Sequence, residues 1–407
     1  MRPLIILLLI LQLSVCDASS LLIPMDISQR DHLKAYGIAY FALREDMAVD
    51  WLLNYRGGSF LMEFSAEIES ECIVRGVSYE IISSIETNGI LRMIDSPSQN
   101  MNLVRMGRAP KIAVYSPRNE LIEDDTDAVL LVLDYAEIPY DIIYDPEILD
   151  DELTMFDWLH LHHEDFTGQV DKFNWRESAR IENEMQITNA QRLGFASVSD
   201  MKQEVVKKIT AFLAGGGYLF AMCSGAETFD LALSVENLAL NPFTFDITDP
   251  ELDYDKTLAF EHFVLEDGFS RRYSDINIGG GFEEELGYFT VFEFSAKTDI
   301  VPSILTQNHE HVIPEFFGRT TAFNRKTVKS SALILGENPE NDNVRYIYGE
   351  LGNGHWSYYS GHDPERRNYR GRHRGPTDLS LFPNSPGYRL ILNNVLFPST
   401  RKKRQKT

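Results

Sequence analysis

Short apolar runs alternate with amphipathic stretches along most of this chain, and one junction between the two organises the rest. Val205, Val206, Ile209, Phe212 and Leu213 recur at helical spacing and form one apolar face. Asp200 is placed to cap that helix, and Ala214-Gly215 ends it. Tyr218 to Met222 then reads as a buried strand that stops at Cys223, after which Ser224 and Gly225 turn the chain into another helix. A strand turning sharply into a helix holds its junction side chain at the edge of the sheet, beside backbone N–H groups able to stabilise an oxyanion.

The same patterning predicts two α/β units. In residues 19–105, Ser20–Met25, Ser59–Phe64 and Val77–Ile82 read as strands, and Asp31–Leu43 and Ala66–Arg75 as helices. That alternation implies a parallel sheet. Gly57-Gly58 marks a turn or a close backbone approach. The polar, proline-flanked stretch Ser96–Pro110 reads as a linker. Beyond it, Lys111–Tyr115, Tyr140–Tyr144 and Asp157–His162 are strands, Asp125–Glu137 is a helix, and 170–198 is a charged helical insertion. Tyr288–Phe294, Ser331–Leu335 and His355–Tyr359 are later strands, Gly279–Gly281 is a loop, and Tyr388–Leu396 is a closing helix. The order over 108–398 is that of an open, doubly wound α/β sheet.

Composition narrows the function classes. With 38 basic against 61 acidic residues the net charge is −23, which argues against nucleic acid as a partner. Arg2 followed by the apolar run Pro3–Leu13 reads as a signal peptide over residues 1–18, too short to span a membrane at ~20 residues, and no later stretch is long enough. The expectation is therefore an exported, periplasmic protein with no transmembrane segment. Leu13-Ser14-Val15-Cys16 resembles a lipobox, so lipidation at Cys16 is the second reading. After cleavage only Cys72 and Cys223 remain, too few for a disulfide framework. Cys72 falls in a helical pattern as a buried apolar residue, although a Cys72–Cys223 bridge would silence thiolate chemistry. Residues 399–407 form a basic tail.

Three clusters carry candidate chemistry. Cys223 at the strand–helix turn is either a nucleophile or a buried core thiol; the helix N-terminus favours its thiolate. His362 follows a strand and a glycine, where the loops of an open α/β sheet converge, and suits a general base, with Glu365 or Asp363 to orient its ring. His355 reads as structural. His160 and His162 share one strand face, a spacing that metal sites use, but no fourth ligand is identifiable and no metal is assigned. His163, Glu164 and Asp165 are expected to line the pocket beside Cys223, together with Ser224 and Gly225. The arginines between Arg366 and Arg374 form a locally basic loop, either solvated or suited to an anion.

At these residues the chain resembles a known superfamily. Phe220-Ala221-Met222-Cys223-Ser224-Gly225 resembles the nucleophile elbow of the class I glutamine amidotransferase-like superfamily. Gly352–His362 looks like the closing motif of its ThuA-like branch, and His362-Asp363-Pro364-Glu365 is similar to the His-Pro-Glu of true amidotransferases with one residue inserted. The resemblance implies a flavodoxin-like sheet over residues 108–398. The whole chain also resembles exported bacterial proteins labelled asparagine synthetase B, through His32–Gly37, Trp51–Phe60, His160–Gln169 and Pro386–Phe397. That label's chemistry does not fit. The N-terminal cysteine nucleophile is missing, since Arg2 follows Met1, and so is a Ser-Gly-Gly-x-Asp-Ser pyrophosphate loop.

The expectation is an exported amidotransferase-like hydrolase of amide-type bonds, working without a cofactor, with Cys223 as nucleophile, His362 as base and Glu365 as orienter. The alternative is a non-catalytic protein that binds a small molecule or carbohydrate, in keeping with Trp158, Phe166, Trp175 and Trp356.

Overall fold

The computed structural model describes residues 19–116, 127–161, 164–168, 177–235, 252–262, 276, 287–316, 322–341, 343–365 and 376–400, and the structural statements below are made of these. The signal segment, His162, His163, Gly279–Gly281, the arginine-rich loop and residues 401–407 of the basic tail lie outside them.

The first unit contains β1 (Ser20–Ile23), α1 (His32–Arg44), β2 (Val49–Leu53), β3 (Ser59–Glu63), α2 (Ala66–Arg75), β4 (Glu80–Ile82), α3 (Ser84–Asp95) and β5 (Asn102–Met106). Its sheet runs β4-β1-β3-β2-β5, and every pair is antiparallel. This overturns the parallel sheet expected from the alternation of elements. β2 and β3 are joined only by Asn54–Gly58, and a parallel crossover needs a dozen residues or more. Positive φ at Asn54, Arg56, Gly57 and Gly58 makes the reversal. The supposed linker contains β5, which pairs with β2, and Arg105 bonds Asp50 across that pair at 2.7 Å.

The second unit begins with β6 (Ile112–Tyr115), α4 (Ala128–Tyr135), β7 (Asp141–Ile143), α5 (Asp145–Leu149), β8 (Trp158–Leu161), α6 (Glu177–Arg192), α7 (Val198–Ala214), β9 (Tyr218–Met222) and α8 (Cys223–Ser234). It continues with β10 (Gly287–Val291), α9 (Ile300–Leu305), β11 (Val312–Phe316), β12 (Phe323–Asn324), β13 (Leu333–Glu337), β14 (Asn343–Leu351), β15 (Gly354–Tyr359) and α10 (Pro386–Leu396). Ser197, not Asp200, caps α7: its hydroxyl accepts from the Asp200 amide at 3.0 Å, so the helix starts earlier than its apolar face suggests.

The large sheet runs β11-β10-β13-β14-β15-β9-β8-β6-β7, with β12 on β14. Its β15-β9-β8-β6-β7 half is parallel, as the pattern implied. Its other half is antiparallel, so the sheet as a whole is mixed. The switch falls at β14–β15, a hairpin closed by Gly352 and Asn353. Gly352 has φ +61°, and a Cβ there would lie 2.6 Å from the Ala214 carbonyl oxygen, so this turn needs glycine. Alternate residues of β9 face two cores. Phe220 and Met222 pack with α4, α10 and the small unit, whereas Leu219 and Ala221 pack with α7 and α8.

One buried arginine ties the two units together. Arg389 of α10 is fully buried and donates to Tyr36 Oη (3.1 Å), to the Met25 carbonyl (3.0 Å) and to the Gly57 carbonyl. Burying a guanidinium is tolerable only with such partners. Replacing Arg389 by methionine strands these acceptors and is expected to cost about 3 kcal/mol or more. Urea denaturation checks this, and an unchanged midpoint would contradict it.

Candidate functional site

The carboxyl ends of the parallel strands gather the candidate side chains. Met222 is extended, with φ −125°, and Cys223 swings to φ +49° as the first residue of α8. A left-handed conformation costs a non-glycine residue about 1–2 kcal/mol, so the junction is strained. The Cys223 amide donates to the Gly361 carbonyl at 3.2 Å. Parallel pairing of β9 with β15, in the register Met222 to Tyr359, delivers that contact. The loop carrying His362 therefore runs past Cys223, although the two lie far apart in sequence. Cys223, Gly225 and His362 are buried and Ser224 is half-buried. Cys72 lies within α2, and no disulfide joins it to Cys223.

Asp363 anchors the loop after β15. Its carboxylate accepts from the Glu365 amide (2.9 Å), from Tyr388 Oη of α10 (3.0 Å) and from the Thr377 hydroxyl. These three bonds commit Asp363 to holding the loop and leave Glu365 as the candidate to orient His362. Burial, with Asp363 and then Glu365 and Asp127 adding their charge, pushes the Tyr388 phenol far above its ordinary value, so it stays protonated and donates to Asp363.

His160 sits fully buried on β8, with Nε2 3.1 Å from Asp127 Oδ2 and Nδ1 3.3 Å from the Phe220 carbonyl. A metal at either nitrogen would have to displace one of these oxygens. Among the described residues no group of three or more His, Cys, Asp or Glu side chains could hold a metal ion. Asp127 also caps α4, accepting from the amides of Val129 (2.7 Å) and Leu130 (3.0 Å). Sequence reasoning placed Asp127 inside a helix and missed it. The available signal was an aspartate just before the apolar run from Ala128.

Glu164 turns toward a buried cation. Lys202 Nζ lies 3.0 Å from Asp145 Oδ1, 2.7 Å from Tyr115 Oη and 3.6 Å from Glu164 Oε2, with all four residues buried. Burial pulls the Lys202 ammonium down, but Asp145 and Glu164 outweigh it and the net shift is upward. Burial raises the Glu164 carboxyl to about 8 despite the attraction of Lys202. With Glu164 held largely neutral near pH 7, the shorter contact makes Asp145 the ion-pair partner of Lys202. Sequence reasoning missed Lys202, although it lies three and four positions before Val205 and Val206, on the buried face of α7. Asp165 accepts from the Thr167 amide at 3.0 Å and shapes the turn after β8.

No protein-family model and no curated protein matches this chain. Among solved structures, it is similar to a cytoplasmic protein, STM3548, from Salmonella typhimurium: 12% identity over 70% of this chain and 97% of that one, TM-score 0.36. It is also similar to Gan42B, a GH42 beta-galactosidase from G. stearothermophilus, at 12% identity and TM-score 0.28, covering 63% of this chain and only 28% of the enzyme. A third similarity, to the mmIFT52 N-terminal domain, has 12% identity and TM-score 0.27 over 62% of this chain and 86% of that one. Likeness at these scores assigns neither fold nor function. No helix among the described residues is long and apolar enough to cross a membrane.

Two substitutions probe the buried cation. Lys202→Met leaves Asp145 as an uncompensated buried charge, at an expected cost of about 3–5 kcal/mol in chemical denaturation. For Glu164 the native carboxyl binds its proton more tightly than the unfolded one. Its contribution to stability is thus present below the ordinary carboxyl range and is lost as pH rises toward about 8. Glu164→Gln is expected to flatten that fall in melting temperature, and parallel pH profiles for the two proteins would contradict the assignment.

Proposed function

We propose that this protein is an exported, periplasmic cysteine hydrolase of amide-type bonds, built on a flavodoxin-like doubly wound sheet and amidotransferase-like in how it presents its nucleophile. The fold part is supported by the parallel run β7-β6-β8-β9-β15. In its own chain order that run reads 2-1-3-4-5, the flavodoxin-like order, in which ligands bind beyond the carboxyl ends of the strands. The observation that carries the chemistry is Cys223 at φ +49° between β9 and α8, its amide bonded to Gly361 one residue before His362.

In this reading Cys223 Sγ attacks the amide carbonyl while His362 accepts the thiol proton. The oxyanion falls to the backbone N–H groups of Ser224 and Gly225, because the Cys223 amide already serves Gly361. Collapse of the tetrahedral intermediate breaks the C–N bond, and His362 returns the proton to the leaving amine. Water, deprotonated by the same imidazole, then releases the acid and the free thiol. Glu365 orients the ring. Asp165 follows β8, which neighbours β9 in the sheet, whereas the Glu164 carboxyl faces Lys202.

A second reading, a binding protein without chemistry, is favoured by burial. Cys223 is 4% exposed, His362 6% and Glu365 3%.

The two readings separate experimentally. Iodoacetamide is expected to label Cys223 below the ordinary thiol pKa of ~8.5. Cys72 is the internal control, since burial pushes its thiol up to about 12. Equal, slow labelling of both cysteines selects the binding reading. In a screen of amide substrates Cys223→Ala is expected to abolish hydrolysis and His362→Ala to reduce kcat by about 10²–10⁴-fold. Activity retained in Cys223→Ala would overturn the mechanism.

A further inference from the structure

A cleft of about 360 Å³ opens between the small sheet and the antiparallel half of the large one, away from Cys223. We propose that it is a binding site for an uncharged carbohydrate. This gives the binding reading a place and a ligand class, and it does not depend on Cys223 chemistry.

The cleft is built rather than incidental. Its two walls come from different units: the β2–β3 turn with Asn54 and Gly57 on one side, and Phe292, Phe294, Gln307 and His309 on the other. The walls are locked together by a reciprocal pair. The Asn54 amide donates to Gln307 Oε1 at 2.9 Å, and Gln307 Nε2 returns a bond to Asn54 Oδ1 at 2.8 Å. Gly58 permits this, because a Cβ at its φ of +89° would stand 2.5 Å from Gln307 Oε1. The Gly57-Gly58 pair is therefore both the turn and the close approach that its sequence suggested. A cleft with fixed walls avoids the ordering cost that weakens binding to flexible surfaces.

The lining chemistry selects the ligand. Its described residues include Asp26 and Glu293 and no lysine or arginine, which disfavours phosphate and carboxylate ligands. His309 adds no charge. It stacks on His32 at 4.0 Å between ring centroids, and its Nδ1 accepts from Arg389 Nη1 at 3.3 Å. Burial, with the neighbouring His32 and Arg389, keeps its imidazole neutral by pushing it down to about 2. Asp26 is in turn neutralised by Arg56 at 2.7 Å. Glu293 at the rim faces His311, with Nε2 3.3 Å from its Oε1. Besides these the lining offers neutral amides, the neutral His309 imidazole and the rings of Phe292 and Phe294, Phe292 being 39% exposed. A pyranose ring has an apolar C–H face that packs on an aromatic ring, and hydroxyls that both donate to and accept from amides. An amine would use the acceptors alone and leave the amide donors unmatched.

The test uses the full chain and calorimetric titration with glucose, maltose, N-acetylglucosamine, glucuronate and spermidine. The expected result is binding of at least one neutral sugar, weakened at least 10-fold in Phe292→Ala and unchanged in Cys223→Ala. Phe292 is surface-exposed, so its replacement spares the core. Preferential binding of glucuronate or spermidine, or no binding of any neutral sugar, would overturn the proposal. A sugar that binds equally to wild type and Phe292→Ala but is lost in Cys223→Trp would preserve the binding reading and overturn this site.

Discussion

The structure depends on β15 being hydrogen-bonded differently on its two sides. It pairs parallel with β9 from His355–Tyr218 to Tyr359–Met222, and antiparallel with β14 from Tyr346–Tyr359 to Leu351–Gly354. All six of its residues are buried. Through this strand the two halves become one sheet, and the chain leaving it meets the amide of Cys223. A polar chain beneath the sheet fastens α10 to the same place. Tyr218 Oη lies 2.6 Å from Ser357 Oγ and donates to Asn394 Oδ1 at 2.5 Å, and Asn394 Nδ2 donates to Tyr346 Oη at 2.7 Å. Asn394 in turn sits on the helix that carries Tyr388 and Arg389.

Of the fully buried cations, Lys202 and Arg389 are accommodated in opposite ways. Lys202 is compensated by charge, chiefly Asp145 at 3.0 Å, with its ammonium 4.7 Å from the Tyr144 ring centroid. Arg389 has neutral acceptors, the carbonyls of Met25 and Gly57 and the Tyr36 hydroxyl, which suits a rigid fork with several donors. The consequences differ. Lys202 tempers the upward shift of Glu164, whereas Arg389 helps to hold His32 and His309 uncharged. Buried ions of this kind contribute little net stability but penalise any misdocked arrangement that leaves them unpaired.

Much of the secondary structure was legible because it follows local periodicity. The Tyr218–Met222 run, the apolar stripe of α7 and the Cys223 junction all appear where their spacing placed them. Misreadings arose where a distant partner decides the outcome. Asn102–Met106 lacks a strong apolar pattern and became a strand because β2 offered it an edge. Lys202 sits on an apolar stripe that only Asp145 and Tyr115 make tolerable. Asp127 shows as a helix cap locally, and its link to His160 requires β8 to lie beside it.

By itself the sequence determined where most strands and helices form, that Cys223 ends a buried strand, and that Gly57-Gly58 marks a turn or a close backbone approach. These are short-range matters of periodicity, glycine conformation and chain length. The tertiary structure decided strand direction in the small sheet, the mixed character of the large one, and which side chains meet. Pairing partners, and the low-dielectric surroundings that shift Glu164 and His309, come from segments hundreds of residues apart in some cases, as Tyr36 and Arg389 are. No local pattern encodes such contacts, because their energy exists only once both surfaces have left water.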